Sequence, residues 1–393
     1  MSNCPSCFQA ISDDDYAWVC HSGRCTQAED TVASRYAGYP VMSGSIMAES
    51  RPADARRGWK ATTDVICSEC SEPALDACPT CRYVLPPDWR NAQATCIAMN
   101  GARATGKSLY IAVVVKQLRQ LAIDLGTTMQ FANNSTRETY TEVYEQPLFL
   151  ERGLMPPTPR SNTDSSYQRE PLIFSLGIIK GIRRFIVIRD VAGEDMERPP
   201  AQATHLQFLA HADAVFFMFD PLAVPNVRAK LVDLVPAQLQ SGGDPVVVLG
   251  NFLNLVGGSV PRLGVILSKF DALQELRQVE DVEWRSIMSN TGAAFLRDPS
   301  DDGTTYNSAD GALLHEEVRS LLYKLDAGAI VLNLENPQDG RKIPYRFFAV
   351  SALGESPDGR ELHARGIAPF RCLDPVKWVL NAVGVLETTA PTF

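Results

Sequence analysis

Long apolar runs are scarce in this sequence of 393 residues. A helix that crosses a bilayer needs about 20 consecutive apolar residues, and even the apolar stretch 216–224 is interrupted by Asp220 and Pro221. Residues 1–5 have neither the basic start nor the apolar segment of a secretory signal. We therefore expect a cytoplasmic protein with no membrane partner.

An excess of basic residues is also missing. The chain has 37 Lys and Arg against 46 Asp and Glu, a formal net charge of -9. Such a surface does not attract the phosphate backbone of nucleic acid, so nucleic acid is not indicated as a partner. The local basic cluster of Arg51, Arg56, Arg57 and Lys60 is typical of a solvated loop. With 45% hydrophobic and 21% charged residues, the composition is that of a globular chain long enough for two domains.

Eight of the ten cysteines lie in the first 81 residues, as four close pairs. The pairs are Cys4 and Cys7, Cys20 and Cys25, Cys67 and Cys70, and Cys78 and Cys81. A tight turn between paired cysteines places two thiolates on one side, and two such turns complete a closed tetrahedral zinc shell. The pattern predicts two zinc ions in two structural Cys4 sites, within a zinc-ribbon-like module over residues 1–90.

The pattern leaves the pairing of these turns open. Sequential sites would group residues 4, 7, 20 and 25 separately from 67, 70, 78 and 81, whereas a cross-braced module would combine alternate pairs. Sequential sites are favoured because their loops are short. Residues 26–66 have no sustained apolar period and are interpreted as a long excursion or partner-binding loop. Cys96 and Cys372 are expected to be small buried apolar residues.

A phosphate-binding loop follows the short apolar stretch 95–100. Residues 101–108 read Gly-Ala-Arg-Ala-Thr-Gly-Lys-Ser, and apolar residues then recur at helical spacing, so a strand precedes the motif and a helix follows it. Backbone N–H groups of such a loop cradle phosphate, Lys107 reaches the outer phosphates, and the Ser108 hydroxyl binds Mg²⁺. The predicted nucleotide-binding residues here are Gly101, Ala104, Thr105, Gly106, Lys107 and Ser108.

A second phosphate-side motif follows two predicted strands. Residues 172–178 and 182–189 predict an antiparallel pair joined by a short Lys-Gly turn. The second strand ends in Asp190-Val-Ala-Gly193. Asp190 at this position can hold Mg²⁺ through water, and Gly193 offers a backbone N–H near the γ-phosphate.

Two later strand ends carry residues suited to guanine. Residues 263–267 predict a strand that ends in Ser268-Lys269-Phe-Asp271, and residues 345–350 predict one that ends in Ser351-Ala352-Leu. The Asp271 carboxylate can accept from the ring N–H and the exocyclic amine of guanine. Lys269 can lie along the phosphate-loop side of the base, and the Ala352 N–H can reach the guanine carbonyl oxygen.

The remaining elements are predicted from apolar spacing. They are a strand over 214–219 followed by Asp220 as a turn cap, and a helix over 225–239. An amphipathic helix containing 313–325 lies in the long interval 275–334, which is interpreted as an insertion or effector surface. A closing helix is predicted with Asp374 as its cap and Pro375 in its first turn.

The order of these motifs resembles that of TRAFAC-class GTPases, the Ras-like superfamily, over residues 95–388. The resemblance implies a P-loop NTPase domain of the GTPase type over residues 91–393, with insertions. Its α/β fold would be a mostly parallel, doubly wound sheet flanked by helices. The implied cofactors are GTP or GDP and Mg²⁺. The closing segment from Asp374 and the Cys-rich N-terminal region resemble double-GTPase families of bacterial conflict and defence gene clusters, which implies protein partners from the same cluster.

Four positions qualify the resemblance. Ser268 stands where the superfamily prefers Asn or Thr, so a smaller hydroxyl would tether the base loop. Glu194 stands at the position of the water-orienting Gln. Arg103 replaces a usual Gly, either as an intrinsic arginine finger beside the γ-phosphate or as a side chain that extends into solvent. The switch threonine is expected at Thr158 rather than Thr163, because prolines limit the loop just before it.

The expected function is that of a Mg²⁺-dependent GTPase acting as a nucleotide-controlled switch in a multi-protein bacterial system, and the resemblance implies that this system is one of defence. The candidate catalytic residues are Lys107, Glu194, Arg103 and Thr158. Two alternatives remain open: a nucleotide-gated zinc-binding scaffold with little or no hydrolysis, and a P-loop ATPase.

Overall fold

The computed structural model describes residues 2–389 except for 63, 154–169, 200–202, 233, 236–241, 259–260, 300–302, 338–339 and 356–365. The predicted switch threonine, Thr158, and its alternative, Thr163, lie outside the described residues. Strands and helices are numbered below in chain order.

The N-terminal part contains small antiparallel sheets and one short helix. Its elements are β1 (Asp15–Val19), β2 (Ala28–Glu29), α1 (Thr31–Ala37), β3 (Met42–Ser43), β4 (Ile46–Ser50) and β5 (Leu75–Ala77). The strand order of its larger sheet is β4-β1-β5, and β2 pairs with β3. Helix α1 begins where the Asp30 carboxylate accepts from the backbone N–H groups of Val32 and Ala33, and it ends at Gly38 with φ of 81°.

These elements correct the interpretation of residues 26–66 as a long excursion. The segment forms β2, α1, β3 and β4, and β4 completes the sheet with β1. Strands of two residues and a helix of seven residues are too short to produce a sustained apolar period, which is why the pattern did not reveal them.

A seven-stranded sheet forms the centre of the rest of the chain, in the order β13-β11-β10-β6-β9-β8-β7. Its strands are β6 (Gln93–Asn100), β7 (Gln130–Phe131), β8 (Leu172–Ile179), β9 (Ile182–Asp190), β10 (Ala214–Phe219), β11 (Arg262–Leu267) and β13 (Tyr345–Ala349). Strands β13, β11, β10, β6 and β9 are parallel, whereas β8 is antiparallel to both of its neighbours, β9 and β7. Every residue of β10 is buried, as expected for an apolar strand covered on both faces. The predicted mostly parallel sheet and its antiparallel pair are therefore confirmed.

Helices cover this sheet and connect its strands. They are α2 (Lys107–Asp124), α3 (Asn134–Thr139), α4 (Gly193–Glu197), α5 (Pro225–Leu231), α6 (Pro245–Val256), α7 (Phe270–Gln274), α8 (Val282–Met288), α9 (Ser308–Lys324), α10 (Gly328–Glu335) and α11 (Asp374–Ala382). A π-helix spans Tyr140–Leu150, and the short strands β12 (Thr305–Tyr306) and β14 (Glu387–Thr388) pair near the end of the chain. None of the helices within the described residues is long and apolar enough to cross a membrane.

Two helix boundaries differ from the sequence expectation. The helix predicted over 225–239 ends at Leu231, and residues 236–239 of that prediction lie outside the described part of the chain. The closing helix is capped by Leu373, so Asp374 is its first residue rather than its cap. Asp374 instead pairs with the fully buried guanidinium of Arg371, which explains why this carboxylate lies inside the helix.

One continuous apolar core joins the N-terminal part to the central sheet. Four cysteines, Phe8 and Trp89 belong to the same buried cluster as β6 and β9. Phe8 packs edge-on against Phe208 at 5.2 Å, and Trp89 packs against Phe185 of β9 at 4.7 Å. The N-terminal part is therefore packed against β9, the strand that ends at Asp190, and against the segment before β10.

Candidate nucleotide site and metal centres

The phosphate loop connects the end of β6 to the start of α2. Gly101 has φ of 138°, and a Cβ at this position would lie 2.1 Å from the carbonyl oxygen of Met218 on β10. Glycine is therefore required where the loop leaves the sheet. The Thr105 hydroxyl donates to the carbonyl of Ala102 at 3.0 Å, and Gly106 (φ of 87°) precedes the first helical residue.

Lys107 lies inside this loop rather than in solvent. Its ammonium donates to the carbonyl oxygens of Gly101 and Ala102, each at 3.0 Å, and only 6% of the residue is exposed. Burial lowers the pKa of Lys107, while the carboxylates of Asp190 and Glu197 act in the opposite direction. A desolvated cation held beside the loop is placed to interact strongly with phosphate.

Asp190 ends β9, the strand paired with β6, and carries an unsatisfied oxygen. Its Oδ1 atom is buried and has no hydrogen-bond partner among the described residues. Burial raises the pKa of Asp190 to about 6, against the opposing effect of Lys107. A buried carboxylate oxygen that accepts no hydrogen bond destabilises the folded protein, and a bound cation would offset this effect. The residues therefore fit Mg²⁺, with Asp190 and the hydroxyl of Ser108, the second residue of α2, as its holders.

The motif that begins at Asp190 reaches the phosphate loop through Gly193. A Cβ on Gly193 would lie 2.4 Å from the backbone nitrogen of Arg103, so only glycine permits this approach. The Arg103 guanidinium does not extend free into solvent, because it pairs with Glu194 at 3.4 Å and with Glu197 at 3.2 Å. Its side chain is 46% exposed, which leaves it partly accessible at the mouth of the loop.

The base-side residues are fixed by contacts between neighbouring strand ends. Asp271 accepts a hydrogen bond from the Ser351 hydroxyl at 2.6 Å, which orients its carboxylate. The Ser268 hydroxyl donates to the carbonyl of Phe219 at 2.8 Å and so tethers the end of β11 to the end of β10. Ala352 follows Ser351 at the end of β13 and is partly buried.

Lys269 makes a contact that the sequence did not predict. It has a left-handed backbone (φ of 50°) before α7, and its ammonium pairs with Asp220 at 2.6 Å. Asp220 also caps the turn after β10, where it accepts from the backbone N–H of Leu222. The expectation that Asp220 is a turn cap is confirmed, and the same carboxylate also positions Lys269.

The predicted phosphate-side and base-side residues meet along one edge of the sheet. Lys107 follows β6 and Asp271 follows β11, and a single parallel strand, β10, separates the two. Two strand spacings correspond to about 10 Å, which a nucleotide spans. The carboxyl ends of parallel strands are where α/β folds bind ligands.

Sequence reasoning missed three groups beside the phosphate loop. Asn100 is fully buried, accepts from the N–H of Gly101 and has an amide nitrogen without a partner among the described residues. Glu197 accepts from the backbone N–H of the loop residue Arg103 and from the backbone N–H of Gly243. Asn100 could have been found from the sequence, because it directly precedes Gly101 in the motif. Glu197 and Gly243 could not, because only tertiary packing places them beside the loop.

The eight paired cysteines form two groups of four sulfur atoms. We call Cys4, Cys7, Cys78 and Cys81 the core metal site, and Cys20, Cys25, Cys67 and Cys70 the peripheral metal site. Within each group all ligand atoms lie within 4.8 Å of one another. Four sulfurs at about 2.3 Å from a zinc ion would be about 3.8 Å apart. The Sγ–Sγ distances of 3.5 and 3.9 Å in both groups agree with this geometry, so both sites fit zinc.

The pairing of the cysteines is nested, which makes the favoured sequential arrangement wrong. The first pair joins the last, and the second joins the third, so the cross-braced alternative is also excluded. The cause is the antiparallel sheet, in which β1 pairs with both β4 and β5. It brings the segment after Val19 next to the segments that flank β4 and β5. The positions of the cysteines in the folded sheet, and not the lengths of the loops between them, therefore decide which pairs share a site.

The fold and this site define a nucleotide-binding protein of the P-loop GTPase class. The sequence model described as Double-GTPase 2 matches residues 95–322. The chain belongs to the Double-GTPase 2 family, which supports guanine-nucleotide binding at the site described above.

A relative resembles the chain along its whole length. The protein named "Putative ESX-1 scaffolding and assembly protein SaeC" from Mycolicibacterium smegmatis is 53% identical over 388 residues, which cover 98% of this chain and 100% of that protein.

Solved structures give much weaker matches. A variant of Aquifex aeolicus Era bound to GDP·AlF4- is 13% identical, with a TM-score of 0.28, covering 76% of this chain and 59% of that one. The S. cerevisiae Ski7 GTPase-like domain, bound to GDP and inorganic phosphate, is 12% identical with a TM-score of 0.32, covering 75% and 51%. The fold assignment rests on the strand order and on family membership.

Proposed function

We propose that this protein is a Mg²⁺-dependent GTP-binding switch that hydrolyses GTP and controls the assembly of a multi-protein bacterial system. The observation that carries the proposal is the order of the strand ends along one side of the sheet. Lys107 follows β6, two strands from β11, the unsatisfied Asp190 Oδ1 lies at the end of β9, three strands from β11, and the Asp271–Ser351 pair follows β11 and β13. The name of the Mycolicibacterium relative supports protein partners in an assembly process. A role in bacterial defence and a cytoplasmic location stay predictions from the sequence.

The roles of the residues follow from their positions. Lys107 binds the outer phosphates from inside the loop, and Asp190 and Ser108 hold Mg²⁺, which neutralises phosphate charge when bound. Asp271, oriented by Ser351, accepts from the guanine N–H groups. Glu194 directly follows Gly193, the motif position of the water-orienting residue, so it is the candidate to accept a proton from the attacking water.

A single-turnover assay with excess protein tests this proposal. We expect the wild type to bind GTP more tightly than ATP and to hydrolyse it in a Mg²⁺-dependent reaction. Lys107→Ala should abolish both binding and hydrolysis, because the buried ammonium has no substitute. The matched control is Lys116→Ala on the same helix, whose ammonium packs on the ring of Phe149 away from the loop. Equal competition by ATP would favour the P-loop ATPase instead.

A nucleotide-gated scaffold is the second candidate, and one contact favours it. Glu194 and Arg103, two of the candidate catalytic residues, are paired with each other, so neither charge is free for the reaction in this conformation. Tight GTP binding by the wild type without single-turnover hydrolysis would support the scaffold. Hydrolysis that Lys107→Ala removes would exclude it.

A further inference from the structure

Glu197 places a carboxylate on the phosphate loop. It is the last residue of α4, four residues after Gly193, and its side chain is 16% exposed. Its Oε1 atom accepts from the backbone N–H of Arg103 at 3.1 Å and from the backbone N–H of Gly243 at 3.1 Å. The Arg103 guanidinium adds a contact from Nε to Oε2 at 3.2 Å.

The donors around this carboxylate are held by close backbone packing. A Cβ on Gly242 would lie 2.3 Å from the carbonyl oxygen of Arg103, and one on Gly243 would lie 2.8 Å from Cγ of Glu197. Both glycines therefore allow the chain to approach the loop closely enough for the Gly243 N–H to reach Glu197. Burial alone would raise the pKa of Glu197, but the two N–H groups and the Arg103 guanidinium lower it, so the group is a carboxylate at neutral pH.

Two converging N–H groups and a guanidinium are the donors of an anion site. Proteins bind phosphate oxygens with this combination, and a carboxylate satisfies the same donors. Two of these donors, the backbone N–H and the guanidinium of Arg103, belong to the phosphate loop itself, between Gly101 and Lys107, where the outer phosphates of a nucleotide are bound. A carboxylate and a phosphate cannot both accept from these N–H groups, because each N–H has one hydrogen to donate and the two acceptors are both negatively charged.

We propose that Glu197 is a tethered occupant of the site for the outermost phosphate, and that GTP displaces it whereas GDP leaves it in place. This inference rests on the proposed GTP-binding function. Glu197 then determines specificity, since it lowers the affinity for the triphosphate and not for the diphosphate. Displacement also breaks the contacts of Glu197 with Arg103 and Gly243 at the end of α4. Binding of the third phosphate therefore changes the conformation of the segments around the loop.

The test measures the affinities of the full-length protein for fluorescent GTPγS and GDP with Mg²⁺. In Glu197→Ala the GTPγS affinity should rise at least about tenfold, a change of about 1.4 kcal/mol, while the GDP affinity stays within about twofold. Glu197→Gln keeps an acceptor oxygen without the charge, so its gain should be smaller. The control is Asp195→Asn, which removes one negative charge from the same helix and should leave the ratio of the two affinities unchanged.

The outcomes separate this inference from the function on which it rests. The inference is overturned by an unchanged or lower GTPγS affinity in Glu197→Ala, by an equal gain for GDP, or by the same gain in Asp195→Asn. If Glu197→Ala does not fold, as shown by circular dichroism, Glu197→Gln carries the test with the same criteria. If neither nucleotide binds the wild type or any variant, the proposed function fails, and the inference fails with it.

Discussion

The two metal sites should differ in what their loss does to the nucleotide site. We compare Cys78→Ser in the core metal site with Cys70→Ser in the peripheral metal site. Each substitution removes one of four ligands, so each variant should retain about one zinc equivalent of the two that the wild type binds. The matched control is Cys96→Ala, which removes a buried sulfur outside both groups and should retain both equivalents.

Loop length does not distinguish the two sites. Cys7 and Cys78 are 71 residues apart, and Cys25 and Cys67 are 42 residues apart. If each metal constrains the unfolded chain as a cross-link does, each site contributes about 4 kcal/mol, and the two contributions differ by less than about 1 kcal/mol. Any larger difference between the effects of losing the two metal sites must therefore come from the burial of their cysteines.

Burial makes the core metal site the more damaging one to lose. Its four cysteines are at most 2% exposed and belong to the apolar cluster that contains β6 and β9, whereas the peripheral metal site forms a small cluster of its own with Cys70 partly exposed. Cys78→Ser also leaves a hydroxyl in an apolar core, at a further cost of about 1 to 3 kcal/mol. We expect Cys78→Ser to weaken GTP binding and to shift the guanidinium unfolding midpoint strongly, and Cys70→Ser to leave GTP binding close to that of the wild type.

Metal content, guanidinium unfolding and nucleotide affinity are measured on the same preparations. The reasoning is refuted if Cys70→Ser reduces GTP binding as much as Cys78→Ser does. It is equally refuted if either variant loses both zinc equivalents, because the two sites would then form one cooperative unit.

Three further predictions concern other groups. Asp271→Asn should move nucleotide preference from guanine towards xanthine, measured by competition, and an unchanged preference would remove this residue from the base site. His315 accepts a hydrogen bond from the backbone N–H of Phe347 at 3.0 Å, and burial lowers its pKa. The folded protein therefore binds this proton less readily than the unfolded chain, whose histidine has a pKa of about 6.5. The free energy of unfolding should fall as the pH drops from about 6.5 towards the folded-state pKa, by up to about 1.4 kcal/mol per pH unit. In His315→Asn this loss should be smaller between pH 7.5 and 5.5 in chemical denaturation, and identical losses would contradict the assignment. Arg189 donates to the carbonyl of Ser6 and lies 3.9 Å over the ring of Phe208, so Arg189→Met should lower the free energy of unfolding by about 2 kcal/mol or more, whereas a neutral effect would show that the contact is dispensable.

The sequence predicted the parts of the site that depend on local chain geometry. A strand, a glycine-rich turn and a helix follow each other directly around Lys107, and Asp190 closes an apolar strand, so spacing alone indicated both positions. Asp271 and Ser351 were both expected on the base side because each lies shortly after a strand of the same parallel sheet, whereas the hydrogen bond between them was not predicted.

The remaining features depend on contacts between distant segments. The nested cysteine pairing follows from the antiparallel register of β1 with β4 and β5, which no cysteine spacing contains. Glu197 and Gly243 are 46 residues apart and meet only because α4 and the segment before α6 both pack on the phosphate loop. Asp374 resembled a helix cap in sequence, but the buried Arg371 gives its carboxylate a different partner.

The nested pairing of the cysteines also determines which metal site can form first during translation. A ribosome delivers Cys67 and Cys70 before Cys78 and Cys81, so the peripheral metal site can close while the partners of Cys4 and Cys7 are still to be translated. Both sites have all their thiolates before the first strand of the central sheet has emerged, yet Phe208, which packs against Phe8, arrives more than a hundred residues later. A nascent chain supplied with zinc at this early stage would present a preassembled surface on which β9 and its neighbours could later settle.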